Sequence, residues 1–79
     1  MKAFANRRRL TILQYLKKNS EASVGEIAHE IKLSFNATSK HLGILAAADI
    51  LEKEQRSSQM YYRFAENLEP AAKHIISLL

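Results

Sequence analysis

Residues 23–48, with the sequence SVGEIAHEIKLSFNATSKHLGILAAA, have the pattern of two helices joined by a tight turn. Ser23 and Glu26 match a capping box, in which a serine hydroxyl and a glutamate carboxylate each accept a backbone N–H at the start of a helix. Apolar residues follow at the spacing of one helical face: Val24, Ile27, Ala28 and Ile31. Ser34 can cap the next helix only three residues after Ile31. Because so short a turn makes the two helices cross steeply, the segment predicts a helix-turn-helix.

The second helix of this pair, predicted over residues 35–48, has two different sides. Its apolar side consists of Thr38, Leu42 and Leu45, with Ile44 and Ala48 beside them. The opposite side of its first two turns presents Asn36, Ser39, Lys40 and Gly43. The amide, hydroxyl and ammonium groups there need no partner in a core, and they suit base edges and phosphates.

Before this segment, residues 3–18 predict a helix with more apolar surface than one buried stripe needs. Its main arc consists of Leu10, Ile12, Leu13 and Leu16. Phe4 and Tyr15 lie beyond the edge of that arc, on a second patch. Two interpretations stay open: the patch widens the contact with the core, or the helix also packs on a second subunit.

After the helix pair, alternating residues predict a β-hairpin over residues 50–64. Its strands, 50–55 and 59–64, flank a tip of Arg56, Ser57 and Ser58. The tip has neither Asn-Gly nor a glycine, so a longer, mobile loop is predicted there instead of a tight two-residue turn.

The last predicted element is a helix over residues 68–79, capped by Asn67 or a neighbour, with Pro70 in its first turn. A domain this small has too little core to bury all the apolar residues of its first and last helices. Exposed surplus of that kind usually marks an interface. The predicted dimer interface consists of Phe4, Tyr15, Ile75, Ile76, Leu78 and Leu79.

Composition excludes several classes of protein. The chain has 79 residues, 47% of them hydrophobic, with no cysteine and a net charge of +4. A disulfide scaffold, a thiolate zinc cluster and a cysteine nucleophile are therefore excluded. No apolar run is long enough to span a membrane, and we expect a soluble intracellular domain. The positive charge favours a polyanionic partner. Nothing resembles a glycine-rich phosphate loop, a paired acid site or an activated serine, so no enzyme is expected.

Longer stretches of the chain resemble a known family. They are LSFNATSKHLGILAAADILEK, followed by MYYRF, and the earlier RRLTILQYL and SVGEIAHEI. In this order they resemble the ArsR/SmtB-type winged-helix repressors of prokaryotes, from about Arg8 to Phe64. Ser39-Lys40-His41-Leu42 is the most specific part, and the last helix fits the C-terminal dimerisation helix of the family.

The resemblance implies a mostly α-helical winged helix-turn-helix of order α-α-α-β-β-α, which forms a homodimer on double-stranded DNA. Such a protein represses transcription from a pseudo-palindromic operator in the prokaryotic cytoplasm. It implies one domain over residues 1–79, with the helix-turn-helix at 23–48, the wing at 50–64 and dimerisation helices at 3–18 and 68–79. The implied DNA-binding residues are Phe35, Asn36, Ala37, Ser39 and Lys40 on the recognition helix, with Arg56, Ser57, Ser58 and Gln59 on the wing.

The chain also departs from the family pattern. Lys32 and Asp49 stand where glycines commonly end the two helices, and lysine enters the left-handed region less readily than aspartate does. The zinc motif expected on the last helix is reduced to His74. A structural zinc site needs four ligands, so we expect no metal and no cofactor, and no effector can be named.

A second function stays open beside DNA binding. A winged-helix module that only binds other proteins would show an apolar residue such as Phe35 on its presumed reading face. It would also tolerate Glu52 and Glu54 on the wing. Lys40 and Arg56 favour DNA, although each has the alternative of an ordinary solvated charge. His41 is expected to be a packed residue at the edge of the core.

Overall fold

The structure, a computed structural model, describes residues 2–79. Its elements in chain order are a 3-10 turn Lys2–Phe4, α1 Arg7–Asn19, β1 Glu21–Ser23, α2 Val24–Ile31, α3 Phe35–Ala47, β2 Leu51–Arg56, β3 Gln59–Phe64 and α4 Pro70–Ser77. The three strands form one antiparallel sheet in the order β1-β3-β2. The predicted winged helix-turn-helix is therefore confirmed, with one strand added between α1 and α2.

The first helix starts later than predicted. The side chain of Asn6 accepts hydrogen bonds from the backbone N–H groups of Arg8 and Arg9, at 2.9 and 3.2 Å, and so caps α1. The residues before Asn6 form the separate 3-10 turn. This turn directs Phe4 into the core of the chain, where it is 8% exposed. The prediction of one helix over 3–18 is wrong, and the burial of Phe4 agrees with the interpretation that it widens the contact with the core.

The strand β1 was not predicted. Glu21 pairs with Arg63 and Ser23 with Tyr61 across the β1–β3 ladder, while Ala22 is buried between them. Three residues are too few to show an alternating pattern, and none of the three favours strands by itself. The strand exists because the hairpin offers it a partner edge.

The predicted capping box at the start of α2 is confirmed. The backbone N–H of Ser23 donates to Glu26 Oε1 at 2.8 Å, and the N–H of Glu26 donates to Ser23 Oγ at 3.1 Å. At the other end, Lys32 adopts the left-handed conformation (φ 57°, ψ 48°). Ser34 then caps α3 by accepting the N–H of Ala37 at 3.1 Å. The turn between α2 and α3 is thus short and held at both ends.

One core lies between α1, α2, α3 and the sheet. Its most buried side chains are Ile12, Leu13, Leu16, Ile27, Leu42, Leu45 and Ile50. Thr38 is also fully buried, and its hydroxyl has no protein partner within residues 2–79. The predicted apolar side of α3 is therefore the side that docks it, except for Ile44, which is 45% exposed, and Ala48, which is also exposed.

The hairpin turns more tightly than predicted. Arg56 pairs with Gln59, so only Ser57 and Ser58 form the turn. Ser57 takes a positive φ of 55°, and its carbonyl accepts a hydrogen bond from Gln55 Nε2 at 3.2 Å. The expectation of a longer loop is wrong, because serine adopts the left-handed conformation here without help from glycine or asparagine.

The last helix is shorter than predicted. Pro70 is its first residue, and the N-cap position falls on Glu69, a neighbour of Asn67, without a side-chain capping bond. The ammonium of Lys17 donates to the carbonyls of Ile76, Ser77 and Leu79 at 3.2, 3.3 and 3.0 Å. A cation at this end also complements the helix dipole.

Among residues 2–79, no helix has the length and apolarity needed to cross a bilayer.

Candidate nucleic-acid interface

The exposed side of α3 carries the predicted recognition residues. Phe35, Asn36 and Lys40 are exposed, while Ala37 and Ser39 are half-buried. Asn36 and Lys40 lie on the side of the first two turns away from the buried Leu42 and Thr38. Phe35 is the first residue of α3, seven residues before Leu42, and lies on the side of the helix that faces the hairpin and the start of α2. Because Ser34 caps this end, the first turn projects from the domain in a defined conformation.

The tip of the hairpin lies beside the start of α3. Phe35 lines a groove of about 250 Å³ together with residues from the start of α2 and from the hairpin. The other lining residues are Ser23, Val24, Gly25, Gln55, Ser58, Gln59 and Met60. The structure thus brings part of the predicted recognition helix and part of the predicted wing to one side of the molecule.

Arg56 is held by carboxylates instead of extending into solvent. Its two terminal nitrogens donate to the two oxygens of Glu21, at 2.7 and 2.9 Å, and Nη2 also donates to Glu54 at 3.0 Å. The guanidinium carbon lies 4.6 Å from the centre of the Tyr61 ring, in cation–π geometry. The hydrogen bonds from Arg56 are the main reason why the pKa values of Glu21 and Glu54 are lowered from their usual range.

A second arginine extends this network. Arg63 Nη1 donates to Glu54 at 3.0 Å, and its Nε lies 3.5 Å from Glu52. Three carboxylates therefore face two guanidiniums across the sheet, so both arginines of the wing are paired with carboxylates. The role of Glu21 was missed in the sequence, since it depends on the unpredicted strand β1.

Another arginine connects the N-terminus to α3. Arg9 Nε donates to the carbonyl of Ala3 at 2.8 Å, and Nη1 lies 3.3 Å from Nδ1 of His41. Since arginine only donates, this contact requires a neutral imidazole nitrogen as acceptor. Burial, and then the positive charges of Arg9 and Arg8, hold the pKa of His41 below 6.5. The expectation for His41 at the edge of the core is met.

His41 predicts an acid-sensitive fold. In the unfolded chain the imidazole takes up its proton at a higher pH than in the folded one. The stabilisation is therefore present above the unfolded pKa and is lost as the pH falls through the folded pKa. We expect the NMR titration midpoint of His41 to lie below its usual 6.5. The free energy of unfolding should fall with acidification more steeply in the wild type than in His41→Gln. A midpoint above 6.5 contradicts this account.

The six predicted interface residues do not share one environment. Phe4 and Ile76 are each 8% exposed and belong to the core of the chain, which leaves little of either side chain for a partner. Tyr15, Ile75 and Leu79 are half-buried, and Leu78 is 73% exposed. Tyr15 and Leu79 line one groove of about 680 Å³, whose rim includes Lys17 and Lys18. Phe4 and Ile76 therefore complete the core of the single chain, and the remaining four residues offer most of the predicted interface surface.

Metal ligands are not grouped in the part of the chain that the structure describes. Residues 2–79 contain no cluster of three or more His, Cys, Asp or Glu side chains with the geometry to hold a metal ion. His74, the one residue that matches the family zinc motif, is exposed on α4.

Comparisons with known proteins agree with this architecture. The sequence profile of the family described as "Helix-turn-helix domain" matches residues 4–54. The chain is 39% identical over 62 residues to the nodulation protein NolR of Rhizobium meliloti, covering 78% of this chain and 50% of that protein. It is 35% identical over 79 residues to the transcriptional activator HlyU of Vibrio cholerae, covering all of this chain and 69% of HlyU. The chain thus spans only half the length of NolR.

Solved structures extend the comparison to the fold. Reduced HlyU from Vibrio cholerae superposes with a TM-score of 0.83 at 35% identity, over 99% of this chain and 78% of that one. A homodimeric winged helix-turn-helix DNA-binding domain from Mycobacterium bovis, described as a possible ArsR-family regulator, superposes with a TM-score of 0.81 at 30% identity. That match covers 98% of this chain and 68% of the other. This chain belongs to the helix-turn-helix family, as an ArsR-type winged-helix transcriptional regulator.

Proposed function

We propose that the protein binds double-stranded DNA sequence-specifically as a homodimer in the cytoplasm and represses transcription from a pseudo-palindromic operator. The observation that carries this proposal is the two-sided α3, with Leu42 and Leu45 fully buried, Asn36 and Lys40 exposed, and Ala37 and Ser39 half-buried. A helix docked by one side and polar on the other presents hydrogen-bonding groups that match the major groove.

Within this proposal the predicted recognition residues of α3 have separate roles. Asn36 and Ser39 contact base edges, because amides and hydroxyls can discriminate bases through hydrogen bonds. Lys40 contacts a phosphate and contributes affinity for any sequence. Ala37 lines the contact without a polar group of its own.

Arg56 contacts DNA only after its guanidinium exchanges carboxylate partners for a phosphate. In the free protein its guanidinium is bound to Glu21 and Glu54, so a phosphate has to replace these carboxylates. The side chains of this network are partly exposed to solvent, so a phosphate can compete with the carboxylates for the guanidinium. Ser57, Ser58 and Gln59 form the tip that approaches the backbone with it.

The homodimer is supported by the half-buried and exposed apolar residues of α1 and α4. Leu78 is the most exposed of them, and Tyr15, Ile75 and Leu79 are only partly covered by their own chain. Two copies related by a twofold axis place their recognition helices about 34 Å apart, one turn of DNA, or a multiple of it. The structural neighbour from Mycobacterium bovis is itself homodimeric.

A binding experiment separates these roles. Duplexes are selected from a random pool by the purified protein, and the variants are then titrated against the selected sequence. Asn36→Ala and Ser39→Ala are each expected to lose about 1–3 kcal/mol of binding free energy and to relax base preference. Arg56→Ala and Lys40→Ala should weaken all duplexes alike and reduce the log–log salt slope by about 0.9 for each lost phosphate contact.

The matched control for Lys40→Ala is Lys73→Ala, since Lys73 is equally exposed but lies on α4. It should change neither affinity nor the salt slope. Glu21→Gln removes a competitor for Arg56 and should strengthen binding to every duplex at low salt. If Arg56→Ala altered base preference while Asn36→Ala and Ser39→Ala did not, these roles would be wrong.

The second candidate function is a protein-interaction module that does not bind DNA. The 59% exposure of Phe35 and the pairing of both wing arginines with carboxylates favour it. Under this function, no duplex would be enriched from the random pool at any salt concentration. Enrichment of one sequence excludes it.

A further inference from the structure

Phe35 is a large apolar residue that the fold leaves mostly exposed. It is 59% exposed, and the other large apolar side chains exposed within residues 2–79 are Ile44 and Leu78. It is also the first residue of α3, directly after the cap Ser34. Exposure of a large aromatic ring to water is unfavourable in free energy, and burial of the ring by a partner would be favourable.

The surroundings of Phe35 indicate what it contacts. On α3 it is followed by the exposed Asn36, and the exposed Lys40 lies further along the helix. Toward the protein, it shares its groove with the apolar side chains of Val24 and Met60. The ring therefore stands between an apolar groove and a polar, cationic surface. A partner that covers it carries negative charge and also presents a small apolar group.

DNA offers one such group in the major groove. The 5-methyl of thymine is the apolar feature of the base edges there, and phenylalanine is among the side chains that contact it. Recognition helices also place their N-terminal residues against the base edges. We propose that Phe35 is a specificity-determining residue that selects thymine in each half-site by covering its 5-methyl group. This inference rests on the proposed function, because it requires α3 to enter the major groove.

The expected magnitude follows from burying one methyl group. Transfer of a methyl-sized apolar group out of water changes affinity by about fourfold. A dimer that covers one thymine methyl in each of two half-sites therefore discriminates by roughly fifteenfold. Asn36 contributes hydrogen bonds, which uracil and thymine support equally, and so does not produce this difference.

The test replaces thymine by deoxyuridine, which removes only the methyl group. The duplex is the one selected from the random pool, and its thymines are replaced one symmetric pair at a time. For the wild type, one pair should weaken binding by roughly fifteenfold. Phe35→Ala should bind the thymine and uracil duplexes equally at that pair, and Phe35→Leu should keep part of the discrimination. Ile44→Ala, an exposed apolar residue further along α3, should retain all of it.

Each other outcome overturns the inference. If the wild type tolerates deoxyuridine at every position, Phe35 does not select thymine, and this result does not depend on how any variant folds. If discrimination persists in Phe35→Ala, another residue covers the methyl group. If no duplex is enriched in the selection, the proposed function fails and the inference falls with it. If a duplex is enriched but binds equally well with uracil in place of thymine, only this inference is refuted and the proposed function stands.

Discussion

Leu78→Glu is expected to convert the proposed homodimer to a monomer and to lower affinity for the selected palindromic duplex by about 100-fold or more. Leu78 is 73% exposed in the single chain, so a carboxylate there costs the isolated fold little. In the dimer the same carboxylate would be buried against the partner, without a counter-charge, at a cost of several kcal/mol. Both half-sites then have to be bound by separate molecules. Sedimentation and duplex titration measure the two effects.

Ser77→Glu is the matched control. Ser77 is also exposed, and Ser77→Glu adds the same charge one residue earlier, about 100° around the helix axis from Leu78. It should stay dimeric and bind as the wild type does. If Leu78→Glu sediments like the wild type, Leu78 lies outside the interface. If the wild type is itself a monomer well above the concentrations at which it binds DNA, the homodimer and the palindrome are both refuted.

The second large effect concerns the docking of the recognition helix. Leu42 is fully buried, and Leu42→Ala is expected to lower the free energy of unfolding by about 2–5 kcal/mol through lost burial and the cavity left behind. A domain of this size is stable by only about 4–12 kcal/mol. The variant should therefore melt at a much lower temperature and lose DNA affinity in proportion to its unfolded fraction. Chemical denaturation at a fixed protomer concentration measures it.

Ile44→Ala provides the comparison on the same helix. Ile44 is 45% exposed, and alanine also has the higher helix propensity, so the expected loss is about 1 kcal/mol or less. A larger loss for Ile44→Ala than for Leu42→Ala would mean that α3 docks by the side we assign to DNA. Asn36 and Lys40 would then lie on the docking side of α3, and their assignment to DNA contact would be wrong.

The sequence alone predicted the features that depend on residues close together in the chain. The capping box joins Ser23 to Glu26, and Ser34 caps α3 through Ala37, three residues on. Helical spacing likewise identified Leu42 and Leu45 as the docking side of α3. These interactions form within one or two helical turns, so the residue types and their spacing are sufficient to specify them.

Tertiary structure decided the features that join distant segments. Phe4 is buried because the 3-10 turn that precedes the cap Asn6 directs the ring into a core built by other elements. Arg56 is bound by Glu21, 35 residues away, only because β1 pairs with β3 and brings the carboxylate to the wing. Such contacts have no local pattern, since their partners meet only after the chain has folded. The sequence therefore determined which helix presents the candidate reading surface, and the packed structure determined that the wing arginine is already bound to carboxylates.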